Sequence, residues 1–327
     1  MALVALLSNP RSTGNRSLLP KVRDFVAANP SIFHYEVEEV SEVPAALRTI
    51  ARVKPAVLVI NGGDGTVQAA LTELYQSGHY GGEVGATPPP VAVLPNGKTN
   101  LIALDLGAVG DPIAALKQIL EIAERGVAPH VVARQLIALS DGTNARPVLG
   151  MFLGGAGLAD LILFCRNKIY PLGLPNWVSH LLAGMAVIAG MLLGLRAGWL
   201  PARPGQMKVS VHRDGQMEGR FFVMMVTTLE KLVLNVRGGV VGDRSGSLKL
   251  MAIEHRRWPV ARAALDALRG RLGQGEFDGM HVRRGNEIRI EGDRASVILD
   301  GELFHSSKGR PIILTPTAPV PFLSLAA

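Results

Sequence analysis

A chain of 327 residues with 48% hydrophobic content is long enough for two folded domains, and this content excludes an intrinsically disordered chain. The formal net charge of +7 indicates an anionic partner, such as a nucleotide, a nucleic acid or an acidic membrane surface. The aromatic content of 5% argues against single-stranded nucleic-acid binding by base stacking, and the single cysteine excludes a disulfide framework. The first residues lack the basic and long apolar regions of a signal peptide, so we expect a cytoplasmic protein.

Residues 1–129 alternate between short apolar runs and amphipathic segments. Strands that alternate with helices predict a doubly wound α/β domain, in which a parallel sheet is covered by helices on both faces. The predicted strands are residues 2–7, 34–40, 55–60 and 91–94, and the predicted helices are residues 18–28, 43–53, 67–74, a segment from Leu101, and 111–125.

The pattern changes at about residue 130, where short strand-like runs separated by turns begin. This pattern is typical of an antiparallel β-sandwich domain, which we expect over residues 130–310 with an inserted apolar helix at 176–198. The remaining residues, 311–327, are expected to return to the first domain. The predicted strands are 131–139, 207–212, 220–228, 248–254, 287–290 and 295–299, with a helix at 258–271.

The chain is organised around residues 60–66, which read Ile-Asn-Gly-Gly-Asp-Gly-Thr between a strand and a helix. We expect the glycines to adopt positive φ and to let the backbone approach a ligand. The free N–H groups at the helix start favour phosphate. Asp64 suits a phosphate that arrives with Mg²⁺, or a hydroxyl that must lose a proton. A glycine-rich turn with a surface aspartate is the alternative.

Polar loops follow three of the predicted strands, after Leu7, Ile60 and Leu94. Ligand sites in parallel sheets lie at the carboxyl ends of the strands, so we expect these loops to converge on one site.

Four segments together resemble the diacylglycerol kinase catalytic-domain family, which includes bacterial diacylglycerol kinases, sphingosine kinases and ceramide kinases. The resemblance covers nearly the whole chain, in order. Its segments are Asn9-Pro10 with Gly14, Gly-Gly-Asp-Gly-Thr at 62–66, Pro-Asn-Gly-Lys-Thr-Asn-Leu at 95–101, and Leu-Asp-Gly-Glu at 299–302.

The resemblance implies an ATP-binding α/β domain, a β-sandwich lipid domain and a cleft between them. It implies catalytic roles for Asp64, Asp300 and Glu302, and the general base lies in either the Gly-Gly-Asp-Gly motif or the Asp-Gly-Glu motif. It also assigns Asp64 to the Mg²⁺ of Mg-ATP, directly or through water. Ser245 stands where many bacterial members carry an aspartate that binds a structural Mg²⁺. The implied nucleotide-binding residues are Asn9, Pro10, Arg11, Ser12, Thr13, Gly14, Gly62, Gly63, Gly65, Thr66, Gln68, Gly97, Thr99 and Asn100.

The function implied is transfer of the γ-phosphate of Mg-ATP to the primary hydroxyl of a lipid. The motifs do not distinguish diacylglycerol, monoacylglycerol, ceramide and sphingoid bases as the lipid acceptor. A soluble kinase similar to NAD kinases and a catalytically inactive lipid-binding protein are the alternatives. No basic stripe, helix-turn-helix or aromatic platform indicates a nucleic-acid partner.

Residues 178–195 contain no formally charged side chain, and basic residues flank them on both sides. We interpret this segment as a helix that lies on an anionic membrane surface beside the lipid entrance. A buried core helix is the alternative. The expected location is therefore cytoplasmic and peripheral, on the inner face of the cell membrane. The sequence leaves a homodimer open.

Overall fold

The computed structural model describes residues 3–76, 88–97, 100–143, 146–164, 188, 190, 204–230, 246–273, 276–292, 295–306 and 309–326. The chain divides into two compact units. The first comprises Met1–Leu136, Val148–Gly150 and Thr317–Ala327, and the second comprises Ile137–Pro147 and Met151–Pro316. The division therefore falls later than the predicted boundary after residue 129, and the return to the first unit begins at Thr317 rather than at residue 311.

Strands and short helices alternate in the first part of the chain, and strands dominate the second. The helices are α1 (Asn15–Ala27), α2 (Val43–Arg52), α3 (Asp64–Gln76), α4 (Leu101–Asp105), α5 (Pro112–Arg125), α6 (Gly157–Phe164) and α7 (Arg257–Leu268). The strands are β1 (Val4–Ser8), β2 (Ile32–Glu36), β3 (Val57–Asn61), β4 (Val91–Val93), β5 (Val131–Arg134), β6 (Ile137–Ser140), β7 (Val148–Gly150), β8 (Phe152–Gly155), β9 (Met207–Val211), β10 (Gly215–Gly219), β11 (Phe221–Thr227), β12 (Leu248–Glu254), β13 (Met280–Gly285), β14 (Ile288–Glu291), β15 (Ser296–Leu299), β16 (Glu302–His305), β17 (Ile312–Pro316) and β18 (Val320–Leu323).

The first unit contains a mixed sheet in the order β2-β1-β3-β4-β18-β5. Pairing is parallel from β2 to β18, and β18 pairs with β5 in the antiparallel direction. Every residue of β1 and β3 is buried, as expected for central strands whose two faces are both covered. The α/β class predicted for this part of the chain is confirmed.

The C-terminal residues complete the first unit. Strand β18 lies between β4 and β5 in the sheet. Beyond it, Leu325 donates its N–H to the carbonyl of Leu106 (2.8 Å), and its own carbonyl accepts from Gln118 Nε2 (3.2 Å). These contacts tie the end of the chain to α5 and to the residue after α4.

The second unit contains two antiparallel sheets, as the sequence pattern predicts. One has the order β13-β12-β11-β8-β15-β16, and the other includes β10-β9-β14-β17-β6. Helix α7 packs on the first of these sheets through a buried cluster to which Val260 and Ala263 belong. The other members of the cluster are Met251, Ile253, Met280 and Val282.

The proposed membrane segment, residues 178–195, lies outside the described residues except at Ile188 and Gly190. Ile188 is partly buried and packs against the cluster beneath α7. The surface interpretation of this segment therefore stays a prediction. None of the helices in the described ranges combines the length and hydropathy needed to cross a bilayer.

Candidate active site

The three polar loops of the first unit begin side by side at one edge of its sheet. Ser8 at the end of β1 is in register with Asn61 at the end of β3. The N–H of Asn9 donates to the carbonyl of Asn61 (3.0 Å), and the N–H of Leu94 donates to the carbonyl of Ile60 (3.0 Å). The backbone therefore holds the loops together at the carboxyl ends of the strands, where the sequence places the ligand site.

Buried asparagine side chains connect the three loops. Asn96 Nδ2 donates to Asn61 Oδ1 (2.8 Å) and also bonds Asn15 Oδ1. Asn15 Nδ2 in turn donates to the carbonyls of Asn9 (2.7 Å) and Asn61 (3.0 Å). All four residues are buried, so their amide groups depend on one another for hydrogen bonds. We refer to Asn15, Asn61 and Asn96 as the asparagine network.

The asparagine network continues into the core of the sheet through Ser8. Asn61 Nδ2 donates to Ser8 Oγ (3.1 Å), and Ser8 Oγ lies 2.9 Å from His34 Nε2. Burial lowers the pKa of the His34 imidazole, which favours its neutral form. The neutral imidazole shares one hydrogen bond with the Ser8 hydroxyl, and the imidazole tautomer sets the direction of that bond. Each polar group along this path thus has a defined partner.

Close packing, rather than positive φ, accounts for the glycines at Gly14 and Gly62, where an added Cβ would overlap Asn96 or Thr66. Gly62, Gly63 and Gly65 do not adopt positive φ, so that expectation is wrong. A Cβ on Gly62 would lie 2.8 Å from Thr66 Cβ, and one on Gly97 would lie 3.5 Å from Asp64 Oδ1. The distance at Gly62 shows that the second loop folds tightly against the first turn of its own helix, whereas the distance at Gly97 is an ordinary van der Waals contact between the third loop and Asp64.

Helix α3 begins at Asp64, within the glycine-rich loop. The carbonyl of Gly63 accepts from Thr66 N (2.9 Å) and Val67 N (3.1 Å), which closes the first turn. Thr66 Oγ1 accepts from Asn9 Nδ2 (3.0 Å) and joins the second loop to the first. The positive end of the helix dipole lies at this turn and favours an anion there.

The predicted nucleotide-binding residues of the first loop have different environments. Asn9 is buried, and its Oδ1 accepts from Arg11 N (2.9 Å), which shapes the loop. The Arg11 side chain is exposed and pairs with Glu38 and Glu39, each at 3.2 Å. Such exposed pairs contribute little stability, so Arg11 can exchange them for another anion. Pro10, Ser12, Thr13 and Gly14 complete this loop and are at least partly accessible.

The second loop contributes both buried and accessible groups. Thr66 and Gln68 are buried, with exposed fractions of 4% and 1%. Asp64 and Gly65 are partly exposed. No protein atom lies within 4 Å of a Cβ placed on Gly65, so the space beside this residue is open. A ligand can therefore approach the backbone of the helix start at Gly65.

The third loop is closed by Asn100. Its Oδ1 accepts from Gly97 N (2.6 Å), and its backbone is left-handed with φ of 52°. Asparagine tolerates this conformation better than most residues. Thr99, which the family resemblance assigns to the nucleotide, lies outside the described residues together with its neighbour Lys98.

The Asp-Gly-Glu segment forms a two-residue hairpin turn in the second unit. Asp300 and Gly301 have φ of 41° and 93°, and Leu299 pairs with Glu302 across the turn. Two positive φ values are typical of a type I′ turn, for which Asp-Gly is a preferred sequence. Local backbone geometry therefore accounts for the first two residues of the motif.

The Asp300 carboxylate is buried and bonded within its own unit. Oδ2 accepts from Met151 N (2.7 Å) and Oδ1 accepts from Phe152 N (3.0 Å). Only 8% of the residue is exposed. Asp300 therefore orients the start of β8, whatever its role in chemistry.

Glu302 differs from Asp300 in exposure and in partners. The residue is exposed, and within the described ranges its carboxylate makes no hydrogen bond or ion pair. Desolvation by the surrounding protein nevertheless raises the pKa of the Glu302 carboxyl. A raised pKa makes the carboxylate a stronger proton acceptor. Of the two acidic residues in this turn, Glu302 is the better placed to exchange a proton.

Oxygen ligands for a magnesium ion are available at the loops of the first unit. Mg²⁺ is usually held by one or two carboxylates together with substrate phosphates and water. Asp64 supplies a carboxylate beside an anion site, which fits this pattern. Within the described ranges, no group of three or more His, Cys, Asp or Glu side chains could hold a metal. Ser245 and the neighbouring Asp243 lie outside those ranges.

Comparison with known proteins identifies the first unit. Residues 3–129 match the family model described as the diacylglycerol kinase catalytic domain. These residues belong to the diacylglycerol kinase catalytic-domain family. No curated protein matches the chain. The predicted family resemblance is thus confirmed over the part of the chain that contains the three loops.

Solved structures of similar fold extend over both units. Two structures of a "putative diacylglycerol kinase" from Bacillus anthracis str. Sterne are 20% and 19% identical, with TM-scores of 0.63 and 0.65. Each match covers 97% of this chain and 94% of the other. A third, of a diacylglycerol kinase from the same strain, is 17% identical with a TM-score of 0.57, and covers 99% of this chain and 97% of the other. At these identities the similarity shows the fold of the chain.

Proposed function

We propose that this protein is a kinase that transfers the γ-phosphate of Mg-ATP to the primary hydroxyl of a lipid. The observation that carries the proposal is the convergence of three polar loops around the start of α3, with Asp64 in its first turn. Phosphoryl transfer depends mainly on positioning and on charge stabilisation, and little covalent work falls to the protein. A rigid cradle of backbone N–H groups beside a carboxylate meets both requirements.

Each loop has a distinct task in this reaction. The backbone from Gly62 to Gly65 and the helix dipole of α3 bind the phosphates. Asp64 holds the Mg²⁺, which supplies positive charge to the phosphate oxygens. The asparagine network keeps the loops at fixed separations, so the phosphates meet preorganised donors. Asp64 or Glu302 accepts the proton of the attacking hydroxyl.

A lipid acceptor is supported by the family of residues 3–129 and by the Asp-Gly-Glu turn in the second unit. Diacylglycerol is the acceptor that the family description names, whereas monoacylglycerol, ceramide and sphingoid bases offer the same primary hydroxyl. We propose diacylglycerol as the first acceptor to test. Since a lipid acceptor resides in a membrane, the proposal includes peripheral binding to an anionic membrane surface.

The decisive experiment is a phosphorylation assay with purified protein and radiolabelled ATP. The acceptor panel contains diacylglycerol, monoacylglycerol, ceramide and sphingosine in detergent micelles, together with soluble NAD, and each product is identified by mass spectrometry. A lipid phosphate that forms only with ATP and Mg²⁺ supports the proposal. Phosphorylation of NAD with no lipid product would overturn it in favour of a soluble kinase, and ATP binding without any product would indicate an inactive protein.

A further inference from the structure

Helix α7 presents an unusual outer surface in the second unit. Pro259, Val260 and Ala263 of this helix are buried, and Val260 and Ala263 pack against the sheet. A helix that covers a sheet in this way normally has polar side chains on its solvent side. The outer side of α7 departs from this rule.

Three large apolar side chains of α7 point to solvent. The exposed fractions are 65% for Trp258, 42% for Leu265 and 83% for Leu268. Residues seven and three positions apart lie on the same side of a helix, so these three side chains form one face opposite Val260 and Ala263. Single exposed apolar residues are ordinary, but a cluster of them marks an interaction surface.

Basic residues lie at both ends of α7 and just beyond its C-terminus. Arg257, Arg269 and Arg271 are exposed, and none of them makes an ion pair within the described ranges. The other arginines of this region are neutralised: Arg262 pairs with Asp266 (3.0 Å), and Arg256 pairs with Glu254 (2.6 Å). Helix α7 and the residues that directly follow it therefore combine exposed apolar groups with three uncompensated positive charges.

We propose that the outer surface of α7 is the docking face through which the protein binds an anionic lipid membrane. We define the α7 docking face as Trp258, Leu265 and Leu268 with Arg257, Arg269 and Arg271. The proposal rests on the proposed function in taking a lipid membrane as the place where the acceptor is met. It adds a specific contact surface that lies outside the apolar segment 178–195.

The composition of the α7 docking face favours a membrane over a second copy of the chain. Tryptophan and leucine side chains enter the boundary between headgroups and acyl chains, and arginines bind the anionic headgroups. A symmetric dimer through this face would bring the two sets of arginines near each other, and like charges in an interface disfavour association. An anionic surface instead offers a counter-charge to every arginine.

Vesicle co-sedimentation tests the docking face with two variants. The charge variant replaces Arg257, Arg269 and Arg271 with Gln, and the apolar variant carries Trp258→Gln and Leu268→Gln. Wild-type protein should bind phosphatidylcholine vesicles that contain phosphatidylserine, and bind phosphatidylcholine alone much less. The charge variant should bind the anionic vesicles at least about tenfold more weakly, since each basic residue near the leaflet contributes to the attraction. The apolar variant should lose binding by a similar factor.

Matched controls separate the docking face from total charge and total hydrophobicity. Arg48, Arg52 and Lys117 are exposed in helices of the first unit, and their joint replacement with Gln removes the same charge. Val109 is 64% exposed, and Val109→Gln removes an apolar group elsewhere. Both control variants should bind anionic vesicles nearly as the wild type does. Equal losses in the control and test variants would overturn the proposal.

Tryptophan fluorescence gives a direct readout of insertion. The chain has three tryptophans, so the variant Trp177→Phe, Trp199→Phe retains Trp258 as its single emitter. Anionic vesicles should shift the emission of Trp258 to shorter wavelength, and brominated acyl chains should quench it. An unchanged spectrum in the presence of bound vesicles would show that another surface makes the contact.

The failure of this proposal and the failure of the proposed function give different results. If wild-type protein phosphorylates lipid in micelles while the test variants bind vesicles normally, the docking face is wrong and the kinase stands. If the docking variants lose vesicle binding but wild-type protein phosphorylates no lipid, the docking face stands and the kinase fails. If the wild type is a dimer that the apolar variant converts to a monomer, and vesicles do not bind, the face is a dimer interface and the proposal is overturned.

Discussion

Asn61 accepts a hydrogen bond from Asn96 at 2.8 Å, although 35 positions separate the two residues in the chain. Asn61 is the last residue of β3 and Asn96 follows β4, so this bond fixes the second polar loop relative to the third. Both amides are buried, and neither could find water if the other were removed. The pair therefore links the stability of the first unit to the geometry of its candidate phosphate site.

Asn61→Ala should both destabilise the protein and weaken ATP binding. The substitution removes one hydrogen bond from Asn96 and one from Ser8, which keep Asn15 and His34 as their other partners, so we expect a cost of about 0.5–1.5 kcal/mol for each lost bond. Urea unfolding and calorimetric titration with Mg-ATP measure the two effects. Asn286→Ala, at an exposed asparagine of the second unit, is the control. Wild-type stability and wild-type affinity in Asn61→Ala would show that the asparagine network positions nothing.

Gly65→Ala should leave the fold intact and weaken ATP binding. The added Cβ meets no protein atom within 4 Å, and alanine suits a helix better than glycine by up to about 1 kcal/mol. If phosphate approaches the backbone here, the methyl group obstructs it. Thermal unfolding should therefore show equal or higher stability while the Kd for ATP rises. An unchanged Kd would mean that the open space beside Gly65 is not part of the site.

Gly14→Ala is the counterpart of Gly65→Ala. The Cβ at this position would overlap the backbone and side chain of Asn96. The variant should lose stability together with ATP binding, because the first and third loops must separate to admit the methyl group. The two glycine variants thus distinguish a packing requirement from a ligand requirement.

Asp64→Asn should lower the phosphorylation rate by a factor of about a hundred or more, the scale expected for the loss of acid–base or electrostatic assistance. The substitution preserves the shape of the side chain, so the unfolding midpoint should change little. Initial rates at saturating ATP and lipid measure the effect, with circular dichroism as the test of folding. Wild-type turnover in this variant would remove Asp64 from the catalytic machinery.

Asp300 and Glu302 should respond differently to amide substitution. Asp300→Asn places an NH₂ group against the N–H of Met151 or Phe152, so it should cost about 1–3 kcal/mol of stability. Glu302→Gln removes a carboxylate without such partners, so its effect should appear in turnover. Paired denaturation and rate measurements separate the two roles. Equal loss of stability in both variants would contradict the distinction.

The pH dependence of turnover, measured for the wild type and for Glu302→Gln, tests Glu302 as the proton acceptor. The pKa of its carboxyl is raised, so the ionised form that accepts a proton appears at higher pH than for a free glutamate. Turnover should rise with pH through that raised pKa, and Glu302→Gln should lack this limb of the profile. A profile identical in both proteins would assign the limb to another group.

The raised pKa of the Glu302 carboxyl also makes the stability of the folded protein depend on pH. A carboxyl with a raised pKa in the folded state favours folding in its protonated form. That contribution is fully present below the pKa of the unfolded chain and is lost as pH rises through the folded-state pKa. Glu302→Gln should therefore be more stable than the wild type at neutral pH and indistinguishable from it in acid.

Local sequence determined much of the first unit. Apolar runs such as residues 55–60 predict buried central strands, since only the core of a parallel sheet accommodates side chains that are apolar on both faces. The glycine-rich turn at 62–65 predicts the passage from β3 to α3. The order of strands and helices in this unit could therefore be predicted from the hydrophobic periodicity and from the glycine and proline residues that mark turns.

Some strands were not predicted from the sequence because their residue patterns are weak. Strand β8 reads Phe-Leu-Gly-Gly, and glycines carry no alternating pattern. Its place in the sheet comes from pairing with β11 and β15, which lie far along the chain. Strand β18 likewise enters the first sheet between β4 and β5 through non-local contacts.

By itself, the sequence determined the class of each unit, the strand–turn–helix passage at Asp64 and the polar loops at three strand ends, because these depend on neighbouring residues. Only the tertiary structure decided that Asn15, Asn61 and Asn96 bond to one another, that the Asp300 carboxylate orients β8, and that three apolar side chains of α7 face solvent. The physical reason is that hydrogen-bond partners and solvent exposure are set by residues distant in the chain, whose register no local pattern encodes.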